Sequence, residues 1–162
     1  MLFRSVRAIL LLRARTLAQG HSGVRPVVVE RLLHMLASNI LPVVPSKGSV
    51  GASGDLAPFA HLVLPLIGEG RVKVDGEVMS PIEAGLEPLR LRAKEGISLL
   101  NGTEGMSAIG PLALEKARRL VAAADTAAAL SVEALLGSSQ PFLPEIHALR
   151  PHPGQAISAA RI

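Results

Sequence analysis

Residues 46–59 read SKGSVGASGDLAPF, and Gly48, Gly51 and Gly54 recur at a spacing of three around Ala52, Ser53 and Asp55. A tight turn needs one or two glycines, so this density points to chemistry. A phosphate-cradling loop requires G-x-x-x-x-G-K-[ST], but Lys47 precedes Gly48 instead of following a glycine. A dinucleotide turn requires G-x-G-x-x-G, and the spacing here is G-x-x-G-x-x-G. A hydrolase nucleophile elbow requires G-x-S-x-G, and Asp55 stands where the last glycine belongs. All three are near misses.

Backbone chemistry fits every letter. Attack of the Gly54 amide nitrogen on the Ala52 carbonyl carbon would close a five-membered ring. Loss of water, followed by loss of the Ser53 hydroxyl as a second water, would leave an exocyclic methylidene on an imidazolone. Glycine presents an unhindered nitrogen, alanine leaves its carbonyl uncrowded, and serine carries the β-hydroxyl to be eliminated. The flanking glycines permit the compressed turn. Asp55 is placed to move protons during the process. The product is an electrophile, which no unmodified side chain supplies. The plainer roles are Ser53 as a turn residue, Asp55 as the N-cap of the next helix and Asn101 as a helix-break residue.

The stretch GSVGASGDLAP resembles the signature of the aromatic amino-acid ammonia-lyases, whose Ala-Ser-Gly tripeptide becomes 4-methylidene-imidazol-5-one (MIO). RAILLLRARTLAQGHSGVRP (7–26), KEGISLLNGTEGM (94–106) and HALRPHPGQ (147–155) are similar to family segments in the same order. The resemblance implies a mainly α-helical fold, a cytoplasmic homotetramer with active sites shared between subunits, and no external cofactor, since MIO forms from Ala52-Ser53-Gly54. Asn101, in LLNGT, matches the family's active-site asparagine. The wording of Lys47–Asp55 and Ala60-His61 is most similar to the branch that eliminates ammonia from L-histidine to give trans-urocanate. The tyrosine and phenylalanine lyases and aminomutases of the family are the alternatives, with a non-catalytic helical scaffold or a serine hydrolase outside it. On the resemblance, residues 1–162 are one piece of a longer lyase domain, a middle section. The family's tyrosine base has no counterpart, because the chain contains no Tyr. Arg15 stands where the family usually has asparagine, and Glu104 where many histidine lyases have glutamine.

The elements that must position these residues follow from periodicity. Residues 3–18 read as a helix ending at Gly20, and roughly 25–38 as a second helix capped by Ser22 and ended by Asn39. ILPVVP (40–45) must be extended. A helix from Asp55 or Leu56 to Ile67 carries His61, expected to be packed and hydrogen-bonded. RVKVDGEVM (71–79) reads as a β-hairpin around Asp75-Gly76. Ser80-Pro81-Ile82-Glu83 has the form of a capping box opening a short helix to Gly85. A long Ala/Leu helix follows Asn101-Gly102-Thr103 to about Leu136, with Gly110-Pro111 as a kink, and the tail from His147 reads as loop. Uninterrupted, 104–136 spans about 50 Å, which suggests packing against partners that this chain does not supply.

Composition sets the limits. With 162 residues, 49% hydrophobic and only 2% aromatic, the chain suits Ala/Leu-rich helical packing in one domain or part of one. The lack of cysteine removes disulfides, thiolate zinc sites and cysteine nucleophiles. His147 and His152 have no third ligand nearby, so no metal site is expected. No apolar run reaches a membrane span. The net charge of +4 sits early, with Arg4, Arg7, Arg13, Arg15 and Arg25 before the first acid, Glu30. An organelle-targeting segment has that composition, but Leu10, Leu11, Leu12 and Leu17 make an ordinary helix face. Nucleic-acid binding is not expected, since aromatic platforms and reader motifs are missing.

Overall fold

The structure, a computed structural model, describes residues 3–51 and 54–162. The chain divides into two compact units, Met1–Leu112 and Ala113–Ile162.

In the first unit, α1 (Phe3–Ala18) packs on α2 (Pro26–Ala37). Buried Val6, Ile9, Leu10, Ala14 and Leu17 on one face of α1 meet a core that includes Val28, Leu32 and Met35 of α2. This is the i, i+3, i+4 stripe of an amphipathic helix. Pro26 opens α2, where its missing N–H costs nothing. Ser22 is not the cap; Arg25 occupies that position without a side-chain hydrogen bond, and the Ser22 carbonyl accepts from Ser98 Oγ instead (2.8 Å). Asn39, at φ 58°, lies just beyond the end of α2.

The extended segment contributes a strand, β1 (Leu41–Pro42), antiparallel to β2 (Val72–Val74), which pairs in turn with β3 (Glu77–Met79). Leu41 faces Lys73, Pro42 faces Val72, and Lys73 faces Val78. The expected hairpin is therefore part of a three-stranded sheet, with Pro42 on an edge strand, where a missing donor is tolerated. Asp75 and Gly76 both have positive φ (49° and 98°), as a two-residue primed turn requires.

α3 (Leu56–Val63) runs into a 3₁₀ turn, Leu64–Ile67, and stops at left-handed Gly68. The capping box forms, with Ser80 N–H donating to Glu83 Oε2 (2.8 Å) and Glu83 N–H to Ser80 Oγ (3.2 Å). The segment after it is a wound turn, however, not a regular helix; Leu86 N–H reaches back to the Pro81 carbonyl (2.9 Å). α4 (Glu95–Leu100) and the start of α5 (Glu104–Ala134) complete the unit.

α5 continues through Pro111 as one helical element. In the second unit it is followed by a 3₁₀ turn, Gln140–Phe142, and by α6 (Pro144–Ala148) and α7 (Pro153–Ala159), two short helices in the segment expected to be loop. Arg161 pairs with Asp125 at 3.2 Å. Among the described residues of this unit, only Asp125 and Ala159 are buried.

Candidate active site

Two of the sequence candidates, Ala52 and Ser53, lie outside the described residues. The other three converge. Gly54 and Asp55 are buried directly before α3, and Asn101 closes the end of α4. Gly54 has φ +132°, a conformation that favours glycine. A Cβ built on it would lie 2.8 Å from Asn101 Oδ1 and 2.9 Å from the Gly102 carbonyl oxygen. The Asn101-Gly102 turn thus closes over the last residue of the tripeptide.

Asp55 is locked in place beside it. Its N–H donates to the Gly102 carbonyl (2.9 Å). Its carboxylate accepts from Ser49 Oγ at Oδ1 (2.7 Å) and from Met106 N–H at Oδ2 (3.0 Å). Asp55 does begin α3, but its side chain makes no cap there. It instead caps α5 from outside, taking one of the first-turn amides that a helix leaves unsatisfied. A negative group at that end also opposes the helix dipole favourably. Gly105, in the same first turn, has no room for a side chain, because a Cβ would fall 2.7 Å from Asp55 Cγ.

Beneath this turn lies a charge that the sequence reading passed over. Arg13, 2% exposed, falls on the apolar stripe of α1. Its Nη1 donates to Glu104 Oε1 (2.7 Å), and its Nη2 donates to the carbonyls of Asn101 (2.7 Å) and Ser98. Its guanidinium lies 4.9 Å from the centroid of the Phe59 ring on α3, a cation–π arrangement. Arg15, by contrast, is exposed, and nothing in the structure explains it. Glu104, expected at a helix start, is there but buried as the partner of Arg13. The available signal was positional: a charge on a hydrophobic stripe demands a buried counter-charge. His61 is exposed and not packed, since its position on α3 faces away from the buried Phe59 and Leu62.

An apolar concavity in the second unit, lined by Phe142, His147, His152 and Ala156 among others, contains none of the candidates. Among the described residues no group of three or more His, Asp or Glu could hold a metal ion, and no helix is long and apolar enough to cross a membrane.

A match to the aromatic amino acid lyase family extends over residues 3–162. The chain belongs to that family. The chain is 58% identical to histidine ammonia-lyase of Gloeobacter violaceus and 53% identical to that of Deinococcus radiodurans, each over 97% of its own length and 31% of theirs. It therefore spans about a third of the length of these curated relatives. Among solved structures, histidine ammonia-lyase from Trypanosoma cruzi superposes with a TM-score of 0.90 at 38% identity, covering 99% of this chain and 32% of that protein. Tyrosine aminomutase from Streptomyces globisporus superposes with a TM-score of 0.85 at 45% identity, covering 97% and 30%. The mainly helical fold with its small sheet matches that of these solved structures.

Proposed function

We propose that the lyase chain carries the electrophile-forming part of an ammonia-lyase that converts L-histidine to trans-urocanate. The observation that carries this reading is the seat around Gly54. A glycine-only conformation is closed over by Asn101 and Gly102, and the adjacent Asp55 is pinned by three hydrogen bonds. Such a seat suits a backbone nitrogen that must be held against a nearby carbonyl, and the absence of space for a Cβ explains why glycine is required there. The residues present thus fit the MIO group that the family resemblance implies.

The self-processing balances without an oxidant. A bond forms between Gly54 N and the Ala52 carbonyl carbon. The former carbonyl oxygen leaves as water with the amide protons of Gly54 and Ser53. The Ser53 Oγ and Cα proton then leave as a second water. Asp55 stands beside the new ring position and, through Ser49 and Met106, keeps a fixed orientation for proton movement. Once formed, the group supplies an electrophile that activates the amino-acid substrate for loss of ammonia. Asn101 is the polar side chain next to Gly54, placed for contacts to substrate or to the ring. Residues 1–162 are then one piece of a cytoplasmic, homotetrameric enzyme needing no external cofactor.

The greater identity to tyrosine aminomutase than to the Trypanosoma cruzi structure favours one second reading, an aromatic substrate other than histidine. Peptide mass analysis gives the first test: residues 52–54 lack two waters, and Ser53→Ala, without the hydroxyl, retains the second. An unmodified tripeptide would instead support the helical scaffold. Supplying the protein at its full coded length with L-histidine, L-tyrosine or L-phenylalanine gives the second test, with urocanate absorbance from histidine alone as the expected result. The 162-residue chain by itself, which has no Tyr, forms no urocanate.

A further inference from the structure

The guanidinium of Arg13 is expensive where it sits. A buried charge is tolerated only when paired and fully hydrogen-bonded, and among the described residues Arg13 Nε has no partner, nor has Glu104 Oε2. An apolar side chain would fill this place on the buried stripe of α1 at lower cost. What the charge provides is a junction. Its Nη2 takes the carbonyls of Ser98 and Asn101, two of the terminal acceptors that the short α4 cannot satisfy itself. Its Nη1 takes Glu104, in the first turn of α5. Its face covers Phe59 on α3, the helix that leaves the tripeptide. Four elements meet on one side chain.

The pair also supports the turn from below. A Cβ on Gly102 would collide with Glu104 Oε2 and Arg13 Nη1, so the ion pair lies directly against the Gly102 backbone. On its other side, the Gly102 carbonyl receives the Asp55 N–H and limits the space at Gly54. The path from Arg13 to the tripeptide is therefore two contacts long, and each contact is a hydrogen bond or a close packing. The planar fork reaches the carboxylate from one nitrogen and the two carbonyls from the other, a spread of acceptors that the single nitrogen of a lysine does not match.

We propose that Arg13, braced by Glu104, is a positioning residue for the self-processing of Ala52-Ser53-Gly54, fixing the Asn101-Gly102 turn on which Gly54 and Asp55 are held. This rests on the reading that the tripeptide cyclises. Arg13 touches no reacting atom. It acts through Gly102.

The test follows dehydration of the tripeptide in the soluble, folded protein at its full coded length, by peptide mass against time, alongside thermal melting. Arg13→Met strands Glu104, so the deciding variant is Arg13→Met with Glu104→Met, which removes both charges together. The expected result is a cooperative melt with dehydration slowed about tenfold or more, the scale of one lost charge-assisted hydrogen bond. Arg13→Lys slows it as well, because the fork is gone although the charge remains. A folded double variant that dehydrates at the parental rate overturns the proposal; should that variant not fold, an unchanged rate in Arg13→Lys does the same. A purely structural Arg13 would lower the melting temperature without slowing dehydration of the folded fraction. Failure of the parent itself to lose two waters would instead remove the cyclisation reading on which the proposal stands.

Discussion

Gly105 lies in the first turn of α5 against the Asp55 carboxylate, with less than a methyl group's space between them. Gly105→Ala must displace Asp55 or lose its bond from Met106 N–H. Overpacking and a broken charge-assisted hydrogen bond together cost at least about 2 kcal/mol. Gly96 in α4 is the matched control, because a Cβ there meets nothing within 4 Å; Gly96→Ala is neutral or gains up to about 1 kcal/mol. Urea titration of the two variants checks the contrast. Gly54→Ala carries a further penalty, because positive φ adds strain to a clash with the Gly102 backbone. It should leave residues 52–54 undehydrated. Gly54 was legible from the sequence, because the motif itself demands a small residue there. Gly105 and Arg13 were not, since each owes its constraint to a partner distant in sequence.

α4 is held at its start by a second buried carboxylate. Glu95, 1% exposed, accepts from Arg25 N (3.0 Å), Nε (2.8 Å) and Nη2 (2.8 Å), and from Arg92 N (2.7 Å). The Arg25 side chain is the largest cause holding its acidity at about 2, against the opposing effect of burial, with the backbone donors assisting. A depressed carboxylate stabilises the fold above its unfolded value near 4.5, and that stability is lost as pH falls toward about 2. Glu95→Gln should therefore cost on the order of 2 kcal/mol near neutral pH, reduced from the full linkage value by the partial exposure of Arg25. The difference from the parent should shrink steadily below pH 4.5 in acid-unfolding curves. A constant difference across that range would assign the stabilisation to packing alone. The helices of the first unit were legible because their apolar stripes are local, and α1 spans the residues its periodicity predicts. The Asp75-Gly76 hairpin was legible from its turn residues. β1 was not recognised as a strand, because its pairing with β2 is set by distant residues and its prolines speak only for extension. From the sequence Asp55 was either a proton carrier or the cap of its own helix; only the fold shows that its side chain caps α5 instead.

At the scale of the whole molecule the two units differ in what they bury. Residues up to Leu112 contain a core running from Val6 to Ala108. From Ala113 onward, Leu120 is 71% exposed, Leu130 66%, Leu135 82%, Leu136 94% and Leu149 82%. Single exposed leucines are ordinary, but here they accompany a unit in which, among the described residues, only Asp125 and Ala159 are buried. Helices draw most of their stability from packing an apolar face, not from propensity. The Ala-rich stretch of α5 and the short α6 and α7 therefore have little to hold them when the chain is alone. Hydrogen exchange on the isolated chain at low concentration should show amides of α1, α2 and α3 protected by global stability, and those beyond residue 112 exchanging orders of magnitude faster by local opening. Raising the concentration separates two causes. Protection that grows in α5, α6 and α7 with concentration assigns their missing core to other copies of the chain, in keeping with the proposed homo-oligomer. Strong protection throughout at every concentration would mean that α5 is stable on its own, and the exposed leucines would then need no covering partner.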